Sequence, residues 1–327
     1  MAIQHFKTAK WLSSGHLQTI WGSFFRPKTT VNVEAIDIPL RDNTQLKCEL
    51  SWPASDTQRV LLDEGGIICV LMHGLTGSAD SHYIKGIQKA IADSSLDIVT
   101  LAINHRGALG HLCPARHKSR LYHAGLVDDI QDTIEEVRRQ WPKARIFMFG
   151  ASLSGNMLVR ALGVNALSQV ERVMAVSVPF DLAMVADAVD QGLGKIYRRY
   201  LANRMKGIIA LKQKYIENMP NAHFAQELKS FWALDNFVVA PLHGFRNVHH
   251  YYRECSSRPV MKNITQPLLV VQAMDDPLVP PAAWPGLDDL PDCVEFEGYD
   301  RGGHVGFIDN KGYWLERRVI QWLMDAI

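Results

Sequence analysis

Along residues 31–38 and again along 46–52, apolar positions tend to alternate with polar ones (Val31, Val33; then Leu46, Cys48, Leu50, Trp52). Successive side chains of a strand point to opposite faces, so this period predicts two half-buried strands, with Arg41-Asp42-Asn43 as the hairpin turn between them. The pattern then changes to short unbroken apolar runs at residues 67–72, 98–103, 146–149, 173–178 and 268–271, which suit strands covered on both faces. Between the runs the period becomes helical. Ile84, Ile87 and Ile91 follow the first, and Val127, Ile130, Ile134 and Val137 follow the second, at steps of three or four. A last helix is expected over residues 313–327, burying Trp314, Val319, Trp322 and Leu323.

Alternation of strand and helix implies a mostly parallel sheet with right-handed crossovers and helices on both faces. Residues 180–258 break the rhythm, with helical patterns and no credible buried strand, and are read as an inserted helical cap. The expected division is therefore a core of residues 1–179 and 259–327, with a cap of 180–258. Within the cap, Leu193, Ile196, Tyr197, Tyr200, Leu201, Met205, Ile208 and Ile209 recur at helical spacing. Beside them stand Lys195, Arg198, Arg199, Arg204, Lys206, Lys212 and Lys214, with no acidic residue from 191 to 216. A solvated helix face is the favoured reading, and an anionic membrane surface the alternative. Residues 17–25, with Ile20, Trp21, Phe24 and Phe25, are expected to pack the N-terminal arm onto the domain.

Composition removes several function classes. Of 327 residues, 35 are Lys or Arg and 34 Asp or Glu, so the formal charge of +1 offers no field for a polyanion, and nucleic acid is not an expected partner. Cys48, Cys69, Cys113, Cys255 and Cys293 lie far apart without a Cys-x-x-Cys pair, and read as reduced thiols. His243, His249 and His250 have no nearby carboxylate or Cys pattern to complete a metal site. Residues 1–11 carry Lys7 and Lys10 but no following apolar stretch, so no secretory signal is expected. The longest clear apolar run is far shorter than the ~20 residues of a membrane-spanning helix. A cytoplasmic protein is expected, of unknown oligomeric state.

The sharpest chemical signal is Gly150-Ala151-Ser152-Leu153-Ser154, set between an apolar run and a helix-like segment at 157–164. It has the form of a nucleophile elbow, in which small residues two positions either side of the serine relieve crowding in a strained turn. Ser154 is the competing nucleophile, but its own flank would be Asn156, a poor fit to the crowded turn. A serine hydroxyl needs a base to take its proton and a carboxylate to orient that base. Asp275-Asp276-Pro277 follows the run at 268–271, at the strand end where open α/β sheets place their sites. His304 follows in the loop Gly302-Gly303-His304-Val305-Gly306, so the order is Ser, Asp, His. Asp276 is preferred because Pro277 directly follows it, with Asp275 left open. The Leu75 amide, in His73-Gly74-Leu75-Thr76-Gly77, and the Leu153 amide are the expected oxyanion donors. His73 precedes the elbow and is read as structural, as is Arg106 in Asn104-His105-Arg106-Gly107, expected to bond loop carbonyls.

Taken together, Gly15-His16-Leu17-Gln18-Thr19-Ile20, His73-Gly74-Leu75-Thr76-Gly77-Ser78, Tyr122-His123-Ala124-Gly125, Asp275-Asp276-Pro277 and Gly302-Gly303-His304-Val305-Gly306-Phe307 resemble the YheT-like family of α/β-hydrolases. The resemblance runs from about Gly15 to the last helix. It implies an α/β-hydrolase fold and supports Ser152, Asp276 and His304 as a charge-relay triad. The family elbow usually reads Gly-x-Ser-x-Gly-Gly-Asn, whereas Ser154 stands here two residues after the nucleophile and could narrow the site. The expected activity is hydrolysis of small-molecule carboxylic esters, either with short- to medium-chain acyl groups or lipid-like, with neither cofactor nor metal. A thioesterase or lysophospholipase, and a non-catalytic lipid-binding module, are the alternatives.

Overall fold

The unbroken apolar runs become the middle of an eight-stranded sheet: β1 (Glu34–Pro39), β2 (Gln45–Ser51), β3 (Ile67–Met72), β4 (Ile98–Ile103), β5 (Arg145–Ala151), β6 (Val170–Val176), β7 (Leu268–Ala273) and β8 (Val294–Tyr299). The computed structural model describes residues 6–53, 60–108, 120–213, 228–286, 288 and 290–327. Cys113 and Lys214 lie outside the described residues. The strands run in the order β1-β2-β4-β3-β5-β6-β7-β8. β2 pairs antiparallel with both β1 and β4, and every later pairing is parallel.

Every residue of β3, β4 and β7 is buried because helices cover both faces. Alternate β3 residues serve opposite cores. Ile68, Val70 and Met72 pack with Ile130, Ile134 and Val137, whereas Cys69 and Leu71 join Ile84, Ile87, Ile91, Trp314 and Trp322 on the other face. The expected hairpin forms, with Asn43 in the left-handed region at φ 62°. Arg41 holds its turn to the helix Asp128–Gln140 by donating from Nε to Asp132 at 2.7 Å.

Two expectations about sidedness need correction. β2 is not half-buried: Glu49 and Ser51 are buried along with Leu46, Cys48 and Leu50, because β2 has a strand on each side and Lys85 reaches Glu49 as an ion pair. Of the expected aromatic anchors in the N-terminal arm, Trp21 packs against the cluster of Ala9, Leu12 and Ile308, but Phe24 and Phe25 do not dock. The arm's helix Gly15–Phe24 buries Gly15, Gln18 and Gly22, while Phe24 and Phe25 are exposed and Trp21 stacks on Phe25. Gln18 satisfies three backbone groups, donating to the Leu12 and Ile308 carbonyls and accepting from Ile308 N. A polar side chain so satisfied is buried at little cost.

Between β6 and β7 the chain forms the helices Leu182–Val189, Gly194–Lys212 and Val248–Cys255, with no strand among the described residues. We keep the name cap for this segment. Its basic helix Gly194–Lys212 does not divide into apolar and cationic faces as expected. Met205, Ile208 and Ile209 turn inward together with Lys206 and Lys212, leaving Leu193, Ile196 and Tyr200 exposed beside Lys195 and Arg199. At about 100° per residue, 196 and 200 lie roughly 80° to 180° around the helix from 205, 208, 209 and 212, so the apolar positions spread over more than one face.

Candidate active site

The helix Leu153–Gly163 starts directly after β5, and Ser152 sits between them at φ 55°, ψ −121°. That left-handed backbone turns the strand sharply into the helix. A Cβ on Gly150 would lie 2.7 Å from Leu158 Cδ1 and 2.8 Å from the Ser154 carbonyl oxygen, which is why the first small position is glycine. Ser154 takes the opposite direction from Ser152. Fully buried, it donates to the His73 carbonyl and accepts from His105 Nε2 at 2.7 Å, so its hydroxyl does not narrow the cavity beside Ser152. Asn156 completes the elbow by donating to the Ala124 and Cys255 carbonyls and accepting from Ser257 N, stapling the cap's return to the helix.

The structure brings Ser152, His304 and Asp276 together. Ser152 Oγ is 2.8 Å from His304 Nε2, and His304 Nδ1 is 2.9 Å from Asp276 Oδ2. The other Asp276 oxygen accepts from Leu278 N at 2.8 Å and Val279 N at 3.1 Å, so the turn after β7 fixes the carboxylate. Asp275 instead accepts from Gly302 N at 2.8 Å and braces the loop carrying His304. Val305, β-branched yet at φ 59°, is strained, and Ser177 Oγ holds it by accepting from its amide at 2.9 Å.

The N-terminal arm supplies support that the residue pattern alone did not reveal. Thr19 Oγ1 accepts from His304 N at 2.8 Å, and a Cβ on Gly306 would lie 2.1 Å from the Gln18 carbonyl oxygen. Gly-His-Leu-Gln-Thr and Gly-Gly-His-Val-Gly are thus two halves of one contact. Their shared small residues were the available signal. His16, in the same arm, hydrogen-bonds Tyr197 of the cap at 2.9 Å; burial, followed by the nearby Asp276 charge, pushes the Tyr197 phenol up to about 12.

On the other side of Ser152 lies the loop after β3. A Cβ on Gly74 would stand 3.0 Å from Ser152 Cβ, so glycine keeps space open above the hydroxyl. The amides flanking Leu75 are both engaged: Gly74 N donates to Tyr83 Oη at 2.8 Å, and Thr76 N to Tyr122 Oη at 2.6 Å. Thr76 has φ 60°, and its carbonyl accepts from Arg204 of the cap at 3.0 Å. These bonds fix the Leu75 peptide from both ends.

His73 is wholly buried, accepting from His105 N at Nε2 and donating from Nδ1 to the Gly74 carbonyl. Burial lowers its pKa to about 4, so it serves as a neutral spacer beneath the elbow. Arg106 is structural, but its partners differ from those expected. It binds Asp129 through two nitrogens and Asp42 at 2.8 Å, because a buried guanidinium needs opposing charge more than carbonyl dipoles. His243 packs 4.4 Å from His123, and no group of three His, Cys, Asp or Glu side chains able to hold a metal occurs among the described residues.

A family model for the alpha/beta hydrolase fold matches residues 69–311. "Putative esterase YheT" of Escherichia coli is 31% identical over 323 residues, covering 95% of this chain and 90% of that protein. The chain belongs to the YheT-like family of α/β-hydrolases. This hydrolase is also 25% identical to a monoacylglycerol lipase of Saccharomyces cerevisiae over 285 residues, 82% of this chain and 61% of the yeast protein. Among solved structures it resembles Pyrococcus furiosus esterase Pf2001, with a TM-score of 0.55 and 15% identity over 90% of this chain and 91% of that one, a likeness of fold alone.

A cavity of ≈ 820 Å³, counting its open mouth, spans the hydrolase between Ser152, His304 and the cap. Leu182, Val185, Leu201, Met205, Leu278 and Val279 give it an apolar wall. Asp235 of the cap also lines it, a residue that no motif marked.

Proposed function

We propose that this hydrolase is a serine esterase that cleaves carboxylic esters through Ser152, His304 and Asp276. The observation that carries the reading is the unbroken chain of contacts from Ser152 Oγ through both nitrogens of His304 to Asp276. In this reading Ser152 attacks the ester carbonyl carbon while His304 Nε2 takes its proton, and Asp276 holds the imidazole in the required tautomer and stabilises the imidazolium. The Leu75 and Leu153 amides receive the oxyanion. Collapse of the intermediate expels the alcohol, protonated by His304. Water activated by the same imidazole then releases the acid and restores Ser152.

The apolar cavity wall suits an acyl chain, and the yeast relative's name as a monoacylglycerol lipase points to lipid-like esters. A thioester would meet the same machinery. No helix among the described residues is long and apolar enough to cross a membrane. The exposed Leu193, Ile196 and Tyr200 beside Lys195 and Arg199 instead suit shallow contact with anionic lipid, from which such esters would enter. Cosedimentation with phosphatidylglycerol vesicles, lost in Ile196→Glu, tests that contact, and equal pelleting of both proteins would refute it. Cys69, Cys255 and Cys293 are free thiols, which fits a reducing cytoplasm.

The test of activity is hydrolysis of p-nitrophenyl esters from acetate to palmitate by the wild type and by Ser152→Ala. Turnover abolished in the folded variant supports a serine esterase, with the chain-length optimum sizing the cavity. Equal turnover in both proteins refutes the assignment.

A further inference from the structure

Asp235 is a carboxyl placed where the cavity otherwise favours hydrocarbon. It begins a π-helical turn, Asp235–Val239, in which Ala240 N donates to the Asp235 carbonyl. Such single turns often occur at functional sites. Its Oδ2 accepts from Tyr252 Oη at 2.7 Å, while Oδ1 has no donor among the described residues. Both residues line the same cavity as Ser152 and His304. Burial pushes the Asp235 carboxyl up to about 7, and the negative charge it acquires on ionisation is uncompensated by any neighbouring cation in an ion pair among the described residues.

Three other polar atoms on this wall already accept from the backbone: Tyr122 Oη from Thr76 N, Tyr251 Oη from Ala124 N, and His123 Nδ1 from Gly125 N. Burial also keeps the His123 imidazole neutral, lowering its pKa to about 3. A carboxyl retained in such surroundings costs stability unless a ligand satisfies it. A hydrogen-bond donor on a neutral, partly apolar molecule meets both the acceptor and the greasy wall.

We propose that Asp235 and Tyr252 form a polar subsite that accepts a hydrogen bond from a free hydroxyl of the substrate, so that this hydrolase selects hydroxylated esters over their plain counterparts. The inference rests on the esterase reading for its reaction and adds the substrate class. The hydroxyl belongs either to a polyol alcohol group or to the acyl chain, and both present the same donor.

Two ester pairs separate those sources: glyceryl monobutyrate against propyl butyrate, and ethyl 3-hydroxybutyrate against ethyl butyrate. The readout is the ratio of kcat/KM, hydroxylated over plain, for wild type, Asp235→Leu, Asp235→Asn and Tyr252→Phe. A site built around a substrate hydroxyl discriminates strongly against its absence, so the ratio should exceed one in at least one pair and fall by about ten- to a hundredfold in Asp235→Leu. Taking a ratio cancels any general loss of active protein, and the near-isosteric Asn and Phe variants guard against misfolding. A wild-type ratio near one in both pairs, or a ratio unchanged by every variant, overturns the subsite. If no ester is turned over, the esterase reading fails separately. Calorimetry on pairs without an ester bond, 1-O-butylglycerol against butyl propyl ether and 4-ethoxy-2-butanol against butyl ethyl ether, then decides: Asp235-dependent preference for either hydroxylated ether supports the subsite, and equal binding within both pairs refutes it.

Discussion

Replacing Tyr122 by Phe removes one oxygen from behind the proposed oxyanion loop while keeping the ring stacked on His105. That oxygen accepts from Thr76 N, and Thr76 is both buried and β-branched at φ 60°. The substitution leaves a buried amide unsatisfied, which costs about 1–3 kcal/mol. It also frees a backbone conformation whose strain is itself worth about 1–3 kcal/mol. Relaxation of Thr76 is passed back through the bonds of Leu75 to the Gly74–Leu75 peptide that carries the donor amide, while Gly74 N remains bound to Tyr83. Every 1.4 kcal/mol of lost transition-state stabilisation is tenfold in rate, and complete loss of one oxyanion donor costs about 10²–10³. We therefore expect kcat to fall about ten- to a hundredfold, with KM within about twofold of wild type, because the Leu75 side chain and the residue-122 ring both stay on the cavity wall. Steady-state kinetics on a soluble p-nitrophenyl ester, run beside urea denaturation, measures both parts. A Tyr122→Phe protein that is less stable but has wild-type kcat would refute the argument that this bond positions the Leu75 amide.

The two carboxylates after β7 should separate sharply. Asp276→Asn should lower kcat by about 10³–10⁴ while Asp275→Asn costs less than about tenfold, and the opposite ranking in kinetic assays would reassign the orienting residue. Stability should also decline in mild acid. Burial lowers His73, His82 and His243 to about 4 and His123 to about 3, and drives His105 well below its usual value. The unfolded chain therefore takes up protons near pH 6.5 that the folded chain refuses, so stability is fully present above that pH and falls between about 6.5 and 4. A urea midpoint unchanged from pH 7.5 to 5 would contradict this. Asp129→Ala strips the buried Arg106 of its two-nitrogen partner and should cost about 3–5 kcal/mol in the same assay, whereas a loss under about 1 kcal/mol would show that Asp42 alone suffices.

The core strands and the Ser152, Asp276 and His304 constellation were legible because each rests on a local pattern. An apolar run reports a strand covered on both faces, and a glycine or serine beside a reactive residue reports crowding. What escaped was set by partners distant in the chain. Glu49 reads as the exposed side of a strand until Lys85 is brought over it. Lys206 and Lys212 read as solvated until the cap folds around them, and Phe24 and Phe25 as anchors although Gln18, two glycines and, of the aromatics, Trp21 make the contact. Asp235 carries no motif, since its role depends on a cavity assembled from the cap and the ends of β5 and β7. The choice between Ser152 and Ser154 was open to a steric argument, but the direction of the Ser154 hydroxyl required His73 and His105 to be in place.

The claim that Ser152 is an activated nucleophile is tested most directly by treating the protein with a fluorophosphonate probe and locating the adduct by peptide mass spectrometry. The geometry predicts stoichiometric modification at Ser152, lost in Ser152→Ala and strongly slowed in His304→Ala. An adduct on Ser154, or none on a demonstrably folded protein, would contradict it.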